Sequence, residues 1–105
     1  MEKQIEKYLR CGIEKLGGEC LKLITPGKDG APDRLVLWSP GKCEFIETKQ
    51  PSGILSPLQK AYHKMLRQLG FKVYVLWDRK EVKNYLDEIQ RTSISGPRDQ
   101  AHITK

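Results

Sequence analysis

Two short apolar runs joined by a tight turn constrain this chain more than anything else in it. D-R-L-V-L-W (Asp33 to Trp38) leads through S-P-G-K (Ser39 to Lys42) into C-E-F-I-E-T-K (Cys43 to Lys49). Runs rich in β-formers around a Pro-Gly turn predict an antiparallel hairpin. A hairpin sets the start of its first strand beside the end of its second, so Asp33 and Glu47 converge. Pro32 fixes the backbone approach to Asp33. Alternation puts Phe45, Glu47 and Lys49 on one face and Glu44, Ile46 and Thr48 on the other. An aromatic, a carboxylate and an ammonium in a row make poor core, because a buried charge costs several kcal/mol unless it is paired or holds an ion.

The other elements follow from periodicity and punctuation. Ile5, Leu9, Ile13 and Leu16 recur at helical spacing, and Gly17-Gly18 stops that helix. Cys20 to Ile24 is a short strand, and T-P-G-K-D-G-A-P (Thr25 to Pro32) is a loop. Ser56-Pro57 reads as an N-cap followed by a first-turn proline. The helix it opens is expected to bury Leu58, Tyr62, Met65, Leu66 and Leu69 and to end at Gly70. F-K-V-Y-V-L-W (Phe71 to Trp77) is a fourth strand. Asp78 with Glu81 resembles a capping box for a last helix bearing Val82, Tyr85, Leu86 and Ile89. The order α-β-β-β-α-β-α predicts one α/β domain over residues 1–90, a mixed sheet of about four strands flanked by helices, because the third-to-fourth strand crossover suits parallel pairing. Residues 91–105 lack periodicity and read as a mobile tail.

A length of 105 residues suits a single domain with its own core. Three widely spaced cysteines, Cys11, Cys20 and Cys43, form no C-x-x-C pair and argue against a zinc site or a disulfide framework. No apolar run approaches the roughly 20 residues of a membrane span. The opening M-E-K-Q-I-E-K has no apolar signal segment, so an intracellular protein is expected. The net charge of +6 favours a polyanionic partner, although the bases trace no regular stripe in the sequence.

Two carboxylates from neighbouring strands form a hard-oxygen site suited to Mg²⁺ or Mn²⁺. Lys49, on the Glu47 face, would point toward that ion, where it can hold or deprotonate an attacking water. Glu47 and Lys49 alone would read as a solvated ion pair at a strand end. Pro32-Asp33 and Gln59 at matching places tip the reading toward chemistry.

Pro32-Asp33 with Glu47-Thr48-Lys49 resembles the PD-(D/E)XK nuclease signature. The wider string G-A-P-D-R-L-V-L-W, then F-I-E-T-K-Q-P-S-G-I-L-S-P-L-Q, is similar to the virus-type replication-repair nuclease family, VRR-NUC, over about residues 2–90. That resemblance implies a restriction-endonuclease-like core and a Mg²⁺- or Mn²⁺-dependent endonuclease. Asp33 and Glu47 become the metal carboxylates, the Thr48 carbonyl a further ligand, Lys49 the catalytic lysine and Gln59 its supporting polar residue. The family also uses a glutamate of its first helix. Glu2, Glu6 and Glu14 compete for that role, and Glu6 in its I-E-K-Y-L setting fits best. Where relatives often carry E-L-K this chain has E-T-K, a change at the residue facing away from the metal.

The same resemblance implies branched DNA such as four-way junctions as substrate, a homodimer, and a phage origin that would place the protein in the cytoplasm of a bacterial host. A monomeric flap- or nick-directed nuclease, and a non-cleaving DNA-binding module of the same fold, are the rival readings. Lys28, in the loop before Asp33, is either a phosphate contact or a solvated lysine. Arg34, in the G-x-P-D-R turn, is a candidate DNA contact. His63 follows Gln59 by one helical turn and is expected to be a solvent-exposed histidine, within reach of DNA or the site.

Overall fold

The computed structural model describes residues 2–27 and 29–95. Seven elements occur in the expected order: α1 Glu2–Lys15, β1 Glu19–Lys22, β2 Arg34–Trp38, β3 Lys42–Thr48, α2 Pro57–Gln68, β4 Lys72–Leu76 and α3 Arg79–Ser95. Lys28 and residues 96–105 lie outside the described residues, as do the side chains of Glu2 and Lys3. Helix α3 runs four residues past Arg91, where the apolar period ends; the Thr92 hydroxyl donates back to the carbonyls of Glu88 and Ile89 within that stretch.

The four strands lie in the order β1-β2-β3-β4. The first three pair antiparallel, with Arg34 opposite Ile46, and β3 pairs parallel with β4 through the α2 crossover. One face of the sheet carries Cys20, Val36, Glu44, Ile46, Thr48 and Leu76. Most of these join Ile5, Leu9 and Ile13 of α1 and Val82 and Tyr85 of α3 in a single buried cluster. Glu44 is buried within this layer at 2% exposure, its Oε1 accepting from the Trp38 indole at 3.2 Å and the Tyr85 hydroxyl at 2.7 Å.

Helix α2 covers the opposite face only in part, leaving Leu21 and Leu37 of that face 39% exposed each. Ser56 caps α2 through the Gln59 N–H, and the Gln59 side chain returns a bond from the Ser56 N–H. The apolar face expected for this helix is buried only in part: Leu66 is buried as expected and Tyr62 is half-buried. Leu58, Met65 and Leu69 are 58%, 38% and 65% exposed, while Gln59, His63 and Leu66 face the sheet. The two stripes differ by one residue, about 100° of helix rotation, and the polar contact from Gln59 to β3 selects the less apolar one.

Gly30 brings the second loop against α2. Its φ is +95°, and a Cβ there would lie 2.5 Å from the Leu58 carbonyl oxygen and 3.0 Å from the Gln59 nitrogen. Only glycine combines that backbone with that approach. Pro32, fully buried, then delivers Asp33 to the sheet end, where its carboxylate meets Thr48.

Candidate active site

The end of β3 gathers side chains from both faces of the sheet. On the α1 face, Thr48 does not face away from the acids as the E-T-K reading expected: its hydroxyl lies 2.9 Å from Asp33 Oδ2 and 3.3 Å from Glu6 Oε2, so its one proton serves either carboxylate in turn. The Thr48 N–H adds longer contacts of 3.4 Å to both Asp33 oxygens. On the α2 face, Glu47 is 6% exposed and its Oε2 accepts from Gln59 Nε2 at 3.3 Å. Gln59 therefore caps its own helix with one end of its amide and holds Glu47 with the other.

Among the described side chains of α1, the acid that reaches the site is Glu6. Glu14 sits on the exposed side in an ion pair with Arg10. Glu6 also pairs with Arg34, Nη2 to Oε1 at 3.0 Å. That contact corrects the reading of Arg34 as a DNA contact. Its side chain is 12% exposed and points from the start of β2 into α1, where it offsets the acidic cluster rather than meeting solvent.

His63 departs further from expectation. It is 1% exposed, not a surface histidine, and among the described residues neither ring nitrogen has a hydrogen-bond partner. Its Nε2 lies 3.8 Å from Glu47 Oε1, so it backs the site from inside and is shielded from DNA. Burial first, then the nearby charges of Arg67 and Lys49, holds its pKa below the ordinary value, which keeps the ring neutral. The helical spacing from Gln59 was the available signal; helix phase hid the burial.

Burial raises the pKa of Asp33. The Thr48 bonds oppose that rise and the neighbouring charge of Glu6 adds to it. A carboxylate so placed gains from a cation beside it. Among the described residues no three His, Cys, Asp or Glu side chains form a protein-only metal cage. Mg²⁺ does not require one, since it is commonly held by one or two carboxylates with water and substrate oxygens. The Thr48 carbonyl suits the same role. In a trans peptide it points opposite to the Lys49 N–H, which bonds to the Leu76 carbonyl on β4 at 3.0 Å, so it faces the Asp33 side. Lys49, half-buried, follows immediately on the Glu47 face.

Comparison with known proteins identifies the frame. A model of the VRR-NUC domain matches residues 2–77. The chain is 39% identical over 88 residues to p44 of Acyrthosiphon pisum secondary endosymbiont phage 1, a protein whose name assigns it provisionally as a nuclease; the match spans 84% of this chain and 94% of that one. A solved structure described as a VRR_NUC domain superposes with a TM-score of 0.77 at 33% identity, covering 82% of this chain and 94% of the other.

Proposed function

Because the chain belongs to the VRR-NUC domain family, a nuclease family, we propose that it is a metal-dependent, structure-specific DNA endonuclease acting on branched DNA. The observation that carries this reading is the pair of acidic clusters at the end of β3: Asp33 and Glu6 on the Thr48 hydroxyl, and Glu47, the preceding residue, on the Gln59 amide.

Asp33, Glu47 and the Thr48 carbonyl would hold Mg²⁺ or Mn²⁺, with Glu6 reaching the cluster through the Thr48 hydroxyl. The bound ion would lower the pKa of water and offset charge on the phosphate. The chain supplies the remainder. Gln59 keeps the Glu47 carboxylate oriented, Arg34 holds Glu6 in place, and Lys49 would hold the attacking water and balance charge as the P–O bond breaks. Hydrolysis leaves a phosphate and a hydroxyl end with no covalent enzyme intermediate.

Branched substrate and a homodimer complete the proposal, since a two-fold pair would present two such sites to two strands. The exposed Leu58, Met65 and Leu69 of α2, with Leu21 and Leu37 on the part-covered sheet face, offer apolar surface for a second copy. Among the described residues no helix is long and apolar enough to cross a membrane.

The test is cleavage of a labelled four-way junction, a flap, a nicked duplex and plain duplex with Mg²⁺, Mn²⁺ or EDTA, beside Lys49→Ala, with the mass of the protein in solution measured in parallel. Paired symmetric cuts lost with EDTA and with Lys49→Ala are expected, from a dimer. Predominant flap cutting by a monomer would overturn the junction and dimer readings, and tight binding without cleavage under either metal would overturn the enzymatic one.

A further inference from the structure

The helix that backs Glu47 differs in charge from the other two. Helix α1 carries Glu6 and Glu14, and its Arg10 pairs with Glu14 at 3.8 Å. Helix α3 carries Glu81, Asp87 and Glu88, with Lys83 paired to Asp87 at 2.9 Å and Arg91 paired to Glu88. Helix α2, P-L-Q-K-A-Y-H-K-M-L-R-Q, has no acid at all. Its three permanent bases, Lys60, Lys64 and Arg67, are exposed, against a net charge of +6 for the whole chain. Neither lysine has an acidic partner within 4.0 Å among the described residues.

Their spacing is i, i+4, i+7, which is one stripe of a helix. Each lies one residue after a member of the inward stripe Gln59, His63 and Leu66, so the basic stripe is the buried one turned by about 100°. It flanks the residues that contact Glu47. Arg67 marks how far the stripe runs back from Glu47: its Nη2 donates at 2.8 Å to the carbonyl of Val73, which pairs with Phe45, two residues before Glu47 on β3. From Lys60 to Arg67 the stripe runs about 10 Å, the length of about three phosphates along one strand. The other flank of α2 holds the exposed Leu58, Met65 and Leu69, which have no use for a polyanion.

We propose that Lys60, Lys64 and Arg67 form a phosphate-binding rail on α2 that lays the DNA backbone alongside the Glu47 end of the sheet. The inference rests on the nuclease reading and adds to it the surface that positions the substrate. Such contacts fix register without reading bases, which suits an enzyme that selects DNA by shape.

The experiment is binding of a fluorescein-labelled duplex in EDTA, followed by anisotropy across a salt series. The proteins are wild type, Lys60→Gln/Lys64→Gln, and the control Lys80→Gln/Lys83→Gln on α3, each checked for an unchanged melt. The rail requires the slope of log affinity against log salt to fall by about two for the α2 pair, one per lost phosphate contact, and to stay at the wild-type value for the α3 pair. Equal slopes for wild type and the α2 variant overturn the rail while leaving the nuclease reading standing. Equal losses from the α2 and α3 pairs also overturn it, since the attraction is then diffuse. A wild type that binds no DNA overturns both.

Discussion

Replacing Tyr85 by phenylalanine removes a single hydroxyl from the layer that clamps β3 to α3. That hydroxyl donates to Glu44 Oε1 at 2.7 Å, and only the Trp38 indole, at 3.2 Å, shares the oxygen. With Glu44 2% exposed, water does not replace the lost donor. A hydrogen bond to a charged group contributes about 1.5–3 kcal/mol, so Tyr85→Phe should cost about 2 kcal/mol. At roughly 4–8 °C per kcal/mol for a domain of this size, the melting midpoint should fall by about 10 °C.

The pH dependence gives a second readout. Burial first, then the charge of Glu44 and the bond to it, holds the Tyr85 hydroxyl far above its ordinary value of 10.0. The folded state keeps a proton that the unfolded state releases. The contribution is therefore complete below pH 10 and lost as pH rises beyond it, by about 1.4 kcal/mol per pH unit. Phenylalanine has no proton to release, so the gap between wild type and variant should narrow above pH 10 in urea or thermal melts followed by circular dichroism. A variant within about 2 °C of wild type at neutral pH, or a gap unchanged across pH 10, would refute the buried clamp.

Gly30→Ala should destabilise by at least about 1–2 kcal/mol, the cost of a left-handed backbone in an L-residue, and should cut cleavage by shifting the loop that sets Asp33 on Thr48; a variant with wild-type melt and rate would contradict the close approach to Leu58. His63→Leu should melt within about 1 kcal/mol of wild type, because no hydrogen bond is lost, yet lose about 10–100-fold in metal affinity or rate through Glu47; full activity would make the imidazole mere filling. Cys20, buried and with its thiol pushed up by desolvation, should resist a thiol reagent that labels the half-buried Cys11 and Cys43 in the native state; three equal labelling rates would contradict its placement.

Local signals carried much of this architecture. The Pro-Gly turn and alternating strands gave the hairpin, and Ser56-Pro57 gave the start of α2. Asp78 caps the Glu81 N–H at 2.9 Å as its spacing implies, although the Glu81 carboxylate bonds to the Trp77 N–H, one residue earlier than the reciprocal box requires. Hairpin geometry brought Asp33 to the end of β3, where its carboxylate meets Thr48, the residue after Glu47.

What stayed hidden depends on tertiary contacts. Hydrophobicity favoured the Leu58-Met65-Leu69 stripe of α2, whereas the inward stripe is set by Gln59 meeting Glu47 across the sheet. That one-residue change of phase buried His63 and exposed Leu58 and Leu69, while Leu66 stayed inside. Arg34 looked available to DNA because its partner, Glu6, lies 28 residues earlier on another element. Alternation placed Glu44 on the Ile46 face, but its two donors, from β2 and α3, were not legible there.

The central claim is that Asp33 and Glu47 make one divalent-cation site that Lys49 serves without ligating. Calorimetric titration of Mn²⁺ into wild type, Asp33→Asn, Glu47→Gln and Lys49→Ala, without DNA, tests it most directly. Saturable binding in wild type and Lys49→Ala, abolished in both carboxylate variants, is the predicted result. Binding by Asp33→Asn or Glu47→Gln as tight as wild type, or none by wild type, would contradict it.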